Sequence, residues 1–147
     1  MAKDGFAISH SKGTIATPGD AQTNQIIYYG LVPSGGTATL YSDGSSTMID
    51  VTPGRAIAFE IQMIAAQATS GDISFRKYQG AAKNLGSGVS IVGSITETTV
   101  AEDAHLVKIT ISGSGSLLTI TASDLILAQP INVVCYIRYT ETIAPGF

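Results

Sequence analysis

The chain has 147 residues, a length that fits one domain burying roughly two-thirds of the surface of its extended form. Charged residues are only 13% and the formal charge is −3, which argues against a general nucleic-acid binder, since that role needs a basic face to displace counterions from phosphates. A single cysteine, Cys135, excludes an intramolecular disulfide and a thiolate zinc cage, and the apolar runs are too short for a membrane-spanning helix.

The N-terminal stretch MAKDGFAISHSK lacks the apolar core of a signal peptide, so synthesis in a cytoplasm is expected. Residues 1–20 are polar, rich in small side chains and weakly patterned, which suits either an anchoring arm or a first strand, with residues 21–147 forming the domain. Strand candidates then follow in FAISH, QIIYYGLV, TATLYS before the turn Asp43-Gly44, and TMIDV. The clearest pattern is AIAFEIQMIAAQ, where Ile57, Phe59, Ile61, Met63 and Ala65 alternate with Ala58, Glu60, Gln62 and Ile64, the signature of a half-buried strand.

Next comes DISFRKYQGAAKN, which carries three of the eight Lys and Arg residues. Period two puts Ile73, Phe75 and Lys77 on one face and Arg76 and Tyr78 on the other, so the charges straddle the sheet, as on an edge strand kept soluble by basic residues. GSGVSIVG reads as a turn leading into a strand, and in SITETTV the spacing predicts that Glu97, like Glu60 before it, lies on an outer face. Glu102, Asp103 and His105 read as solvated loop charges. LVKITISGSGSLLTITA predicts a hairpin with a Gly/Ser tip at Ser112 to Ser116, and TASDLILAQ predicts one short helical turn capped by Ser123 or Asp124. The last run, INVVCYIRYTET, places Ile131, Val133, Cys135, Ile137 and Tyr139 together behind Pro130. The sum is an all-β chain of about nine or ten strands with at most one short helix, arranged as an antiparallel β-sandwich or jelly roll.

Motifs for chemistry are sparse. No G-x-x-x-x-G-K-[ST] string exists for phosphate, and neither His10 nor His105 lies near a nucleophile elbow. Cys135 sits on an apolar strand face, where a thiol packs as a small hydrophobe. Glu60 and Glu97 are the mid-strand acids that a glycan hydrolase would use, and the six tyrosines suit sugar stacking, though strands favour Tyr in any case. The expectation is a protein that is not an enzyme and takes no cofactor and no metal.

The order YSDG (41–44), GRAIAFEIQMIAAQ (54–67), ISFRKYQGAAK (73–83) and SIVGSITETTVAED (90–103) resembles a β-rich module of tail-fibre-like and other structural proteins of tailed bacteriophages, and GFAISHSKGTIATPGDAQTNQIIYYG has the flavour of short phage virion proteins. After Asp103 the chain departs from the pattern, which usually carries a Trp and an acidic stretch there. The resemblance implies a structural protein on the virion surface, a capsid decoration or cement protein in the first instance, and otherwise a tail fibre or receptor-binding component contacting host glycans. It implies a homo-oligomer, with a trimer favoured, whose closed symmetry covers apolar strand faces, and other virion proteins such as the major capsid protein as partners. No nucleic acid or membrane partner is expected. The partner-contact candidates are Arg76, Tyr78 and Lys83, with His10 and Lys12 in the N-terminal segment.

Overall fold

The computed structural model describes the backbone of residues 7–14, 18–127 and 130–143 and the side chains from Thr23 onward within them. Among these residues it is all β, with ten strands: β1 (Ala7–Thr14), β2 (Pro18–Val32), β3 (Thr37–Thr39), β4 (Ile49–Asp50), β5 (Arg55–Gln67), β6 (Ile73–Asn84), β7 (Val89–Glu102), β8 (Val107–Ser114), β9 (Leu117–Asp124) and β10 (Ile131–Ile143). Two antiparallel sheets stack as a sandwich. The larger runs β1-β2-β10-β5-β6-β7; in the smaller, β9 carries β8 on one side and β3 and β4, end to end, on the other.

The alternation in the sequence explains the packing. Ile57, Phe59, Ile61, Met63 and Ala65 of β5 and Ile131, Val133, Cys135 and Ile137 of β10 all turn inward and are buried. They meet Leu118, Ile120 and Ala122 of β9, Val107 and Ile111 of β8, and Leu40, Ile49 and Val51 in one continuous core. Each fully buried Ile or Leu in this layer is worth about 1.5–3 kcal/mol, so these positions, and not the few ion pairs, hold the sheets together. Tyr28 reaches across the layer: its buried hydroxyl accepts the Ile49 N–H and lies 3.5 Å from the Leu118 carbonyl oxygen, and burial raises its pKa.

Close backbone approach fixes two glycines. Gly113 lies where the start of β7 crosses the β8–β9 hairpin, and a Cβ there would overlap the Val89 carbonyl oxygen. Opposite Phe59 on β6 stands Gly80, over which the Phe59 ring folds; a Cβ would come within 2.8 Å of the ring.

The segment predicted as a helical turn is not helical among the described residues. Asp124 does act as a cap, but of a bend: Oδ1 accepts the N–H groups of Ile126 (2.8 Å) and Leu127 (3.2 Å), and Oδ2 accepts that of Gly35 (2.6 Å). The tie to Gly35, 89 residues away, holds the chain in a bend where local capping alone favours a helix.

Candidate functional site

The two sheets are unequal in width, and this creates the site. Six strands face a smaller sheet, so among the described residues the inner face of the large sheet is left uncovered at the β7 margin, where Ile91 and Ile95 are only partly buried and Glu97 and Thr99 are exposed.

Strand β6 keeps the predicted alternation. Arg76 and Tyr78 turn inward and Lys77 outward, and Lys83 is exposed on the outer face, so the structure does not bring Lys83 together with Arg76 and Tyr78. The backbone of His10 and Lys12 lies in β1, with His10 paired to Thr23; their side chains lie outside the described residues.

Arg76 is the hub. Nε donates to Glu102 Oε2 at 2.9 Å and Nη2 to Glu102 Oε1 at 2.6 Å, a bidentate fork, while Nη1 donates to Glu97 Oε1 at 2.7 Å. Ser74 Oγ adds a bond to Glu102 Oε2 at 2.7 Å, and the Tyr78 hydroxyl donates to Glu97 Oε1 at 3.1 Å. The Arg76 side chain is 11% exposed and that of Glu97 43%, so the hub is covered while one acid opens to solvent.

The charges follow from these contacts. Hydrogen bonds from Arg76, then from Ser74, hold the Glu102 carboxyl down at about 2. The same bonds, led by those to Glu102, raise the Arg76 pKa against the effect of its burial. Burial, reinforced by the Glu97 charge, raises the Tyr78 pKa, so its hydroxyl stays protonated and donates.

Two sequence expectations are corrected here. Glu97 is not on the outer face; it pairs directly with inward-facing Tyr78. Glu102 is not a solvated loop charge but a strand residue with both oxygens bonded. Glu97 and Glu102 are five residues apart, and strict period two puts such residues on opposite faces. A bulge at the register shift between Phe75 and Arg76 inserts Val100 as an extra residue, so both carboxylates reach one guanidinium. No local signal in SITETTVAED marks that bulge; the two partners lie 21 and 26 residues from Arg76 in sequence.

Chemically the cluster is a fixed array with one acceptor group at the surface. Both Glu102 oxygens are engaged. Glu97 is oriented through Oε1 by two donors and presents the rest of its carboxylate outward, the kind of planar, pre-positioned acceptor that hydroxyl-rich ligands use. One guanidinium and two carboxylates leave the cluster with a net charge of −1.

The outer face of the same sheet is a second candidate surface. Register aligns its residues in rows across β2, β10, β5 and β6: Leu31, Asn132, Ala66, Ile73; then Tyr29, Val134, Ile64, Phe75; then Ile27, Tyr136, Gln62, Lys77; then Gln25, Arg138, Glu60, Gln79. Polarity rises row by row. A shallow depression of about 240 Å³ is lined by Gln62, Ile64, Phe75, Val134 and Tyr136, and another of about 300 Å³ by Ala58, Phe59, Glu60, Arg138 and Thr140. Glu60 accepts from Gln79 Nε2 at 3.0 Å and from Arg138 at 3.4 Å, with Arg138 and Glu60 side chains 57% and 54% exposed.

Cys135 is buried between the sheets, and burial pushes its thiol up to about 12, consistent with packing. Among the described residues no three His, Cys, Asp or Glu side chains converge so as to hold a metal ion.

No known protein family matches the sequence, and no curated protein matches it. Among solved structures the chain is similar to the tailspike protein gp49 of Acinetobacter baumannii bacteriophage Fri1, described as a capsular polysaccharide depolymerase, at 14% identity and a TM-score of 0.49, covering 95% of this chain and 20% of that one. It is also similar to the tailspike protein of Acinetobacter baumannii phage AM24, at 14% identity and a TM-score of 0.43, covering 84% of this chain and 27% of that one. The chain thus spans about a fifth to a quarter of the length of these tailspikes. The expectation that the protein is not an enzyme is withdrawn; the Fri1 protein is described as a depolymerase.

Proposed function

We propose that the chain is a tail component of a tailed-phage virion, of the fibre or receptor-binding kind, and that it contacts host-surface glycan at the open β7 margin. The observation that carries this reading is Glu97: a carboxylate oriented by Arg76 and Tyr78 yet 43% exposed, at a margin of the inner sheet face that the described residues of the second sheet do not cover. An acceptor held in place in advance loses little conformational freedom when it binds vicinal hydroxyls, and surplus negative charge beside it favours neutral or amino sugars over acidic ones. The order of strand motifs that resembles phage structural proteins supports the same class. Capsid decoration, the first expectation from sequence, needs contacts to capsid subunits but no oriented acceptor on an open margin.

The test is binding of the purified chain to an array of neutral, amino-sugar and acidic host oligosaccharides. Glu97→Gln, which keeps the shape and removes the charge, is expected to weaken retention on neutral and amino-sugar probes by roughly tenfold, the value of one charge-assisted hydrogen bond. Release of reducing ends in the same incubations separates cleavage from binding. Unchanged retention by the Gln variant, or hundreds of copies arrayed over the head in place of a handful at the tail, overturns the reading.

A further inference from the structure

The four outer-face rows have a partial symmetry. Between β10 and β5 runs a line parallel to the strands, and across it Val134 answers Ile64, Tyr29 answers Phe75 and Arg138 answers the opposite charge of Glu60, whereas in the third row Ile27 answers Lys77 and Tyr136 answers Gln62. A twofold rotation about that line places each member of a pair over its counterpart in a second copy. We propose that this face packs against itself in an isologous twofold contact between two copies of the chain.

Two observations argue for this occupant. In the second and fourth rows aliphatic falls on aliphatic, aromatic on aromatic, and Arg138 of one copy on Glu60 of the other. The two existing cross-strand pairs, each with 3.4 Å between Arg138 and Glu60, then become a ring of four alternating charges. The face is uncharged over its first two rows, while Tyr29, Leu31, Ile64, Ile73 and Val134 are all exposed, which a nucleic acid does not match and a flat apolar sheet does. Four strands at about 4.8 Å spacing and four rows at about 7 Å give a footprint on the order of 500 Å² per copy, room for an interface core though below the roughly 800 Å² per partner of a stable complex. The contact is therefore concentration-dependent. Aligned sheets cross at about −30°, which keeps the rows nearest the axis in register.

The experiment is sedimentation velocity of the full chain from micromolar to millimolar concentration, with melting curves as a control for folding. Wild type is expected to pass from monomer to dimer. Glu60→Arg and Arg138→Glu each place like charges opposite one another twice per dimer and should each weaken association at least about tenfold. An equimolar mixture of the two variants restores opposite charges at both contacts and should associate as a 1:1 heterodimer, an outcome that only an intermolecular contact produces. Wild type that stays monomeric throughout, or that assembles as a trimer, overturns the proposal; so does a mixture that remains as weak as its components. Normal melting of both variants shows that any loss belongs to the contact.

Discussion

Two arginines pair with glutamates across the same sheet, and they do opposite things. Arg76 faces inward at the β7 margin, 11% exposed, with three of its nitrogens bonded to two carboxylates at 2.6–2.9 Å. Arg138 faces outward, 57% exposed, and reaches Glu60 only at 3.4 Å. The ligand types are the same; the difference is water. A guanidinium removed from solvent needs its partners, since an unpaired buried charge costs several kcal/mol, whereas an exposed pair gains at most about 1 kcal/mol after side-chain entropy and screening. The inner cluster is thus part of the fold and offers only its exposed edge, Glu97, while the outer pair is free to exchange partners.

The largest effect should come from removing the inner hub. Arg76→Met leaves Glu97 and Glu102 facing each other without their shared donor and is expected to cost ~3 kcal/mol, the lower end for a broken buried pair because Glu97 keeps access to water. Denaturant unfolding measures it, and a loss below that of an ordinary surface substitution would mean the cluster is an exposed one after all. Tyr78→Phe removes only the bond to Glu97, and about 1 kcal/mol is expected by the same measurement.

Acid titration sharpens the contrast. Glu102 is held at about 2 in the fold, below its ordinary 4.5, so its contribution is present above 4.5 and is lost as pH falls toward 2. Glu141 behaves in the opposite sense: it lies 3.5 Å from Arg55, but burial outweighs that charge and raises its pKa, so the folded chain takes up that proton first and gains slightly as pH approaches 4.5 from above. Stability followed by thermal melting should therefore fall between pH 4.5 and 2. In Arg76→Met the part of that fall due to Glu102 should disappear, and a variant with the wild-type slope would separate Glu102 from the acid transition.

How much of this was legible in the sequence depends on where water and partners sit. In β5 and β10 one face is buried from end to end, so period two is written into the residues, and the core positions from Ile57 to Ala65 and Ile131 to Ile137 could be read directly. Cys135 and the β8–β9 hairpin were legible for the same reason. Strand β7 is half-buried or exposed along its whole length and carries two register shifts, so neither its faces nor the meeting of Glu97 with Glu102 could be read. The place of β10 between β2 and β5 was also out of reach, since it depends on pairing between residues separated by most of the chain. Likewise the Asp124 bend hid behind a valid local capping signal, decided by Gly35 far upstream.

The smallest expected effect tests the comparison from its other side. Arg138→Ala removes a cation as completely as Arg76→Met does, and from the same sheet, yet its folding stability should change by no more than about 0.5 kcal/mol, because Glu60 remains hydrated and keeps its bond from Gln79. The measurement must be made at dilution, where copies are apart, since at high concentration the substitution also removes a contact across the twofold. Urea unfolding at two protein concentrations separates the terms: a midpoint unchanged when dilute but lowered relative to wild type when concentrated places the work of Arg138 between molecules. If dilute Arg138→Ala instead loses as much as Arg76→Met, burial is not what distinguishes the two clusters, and the division of labour between the faces fails with it.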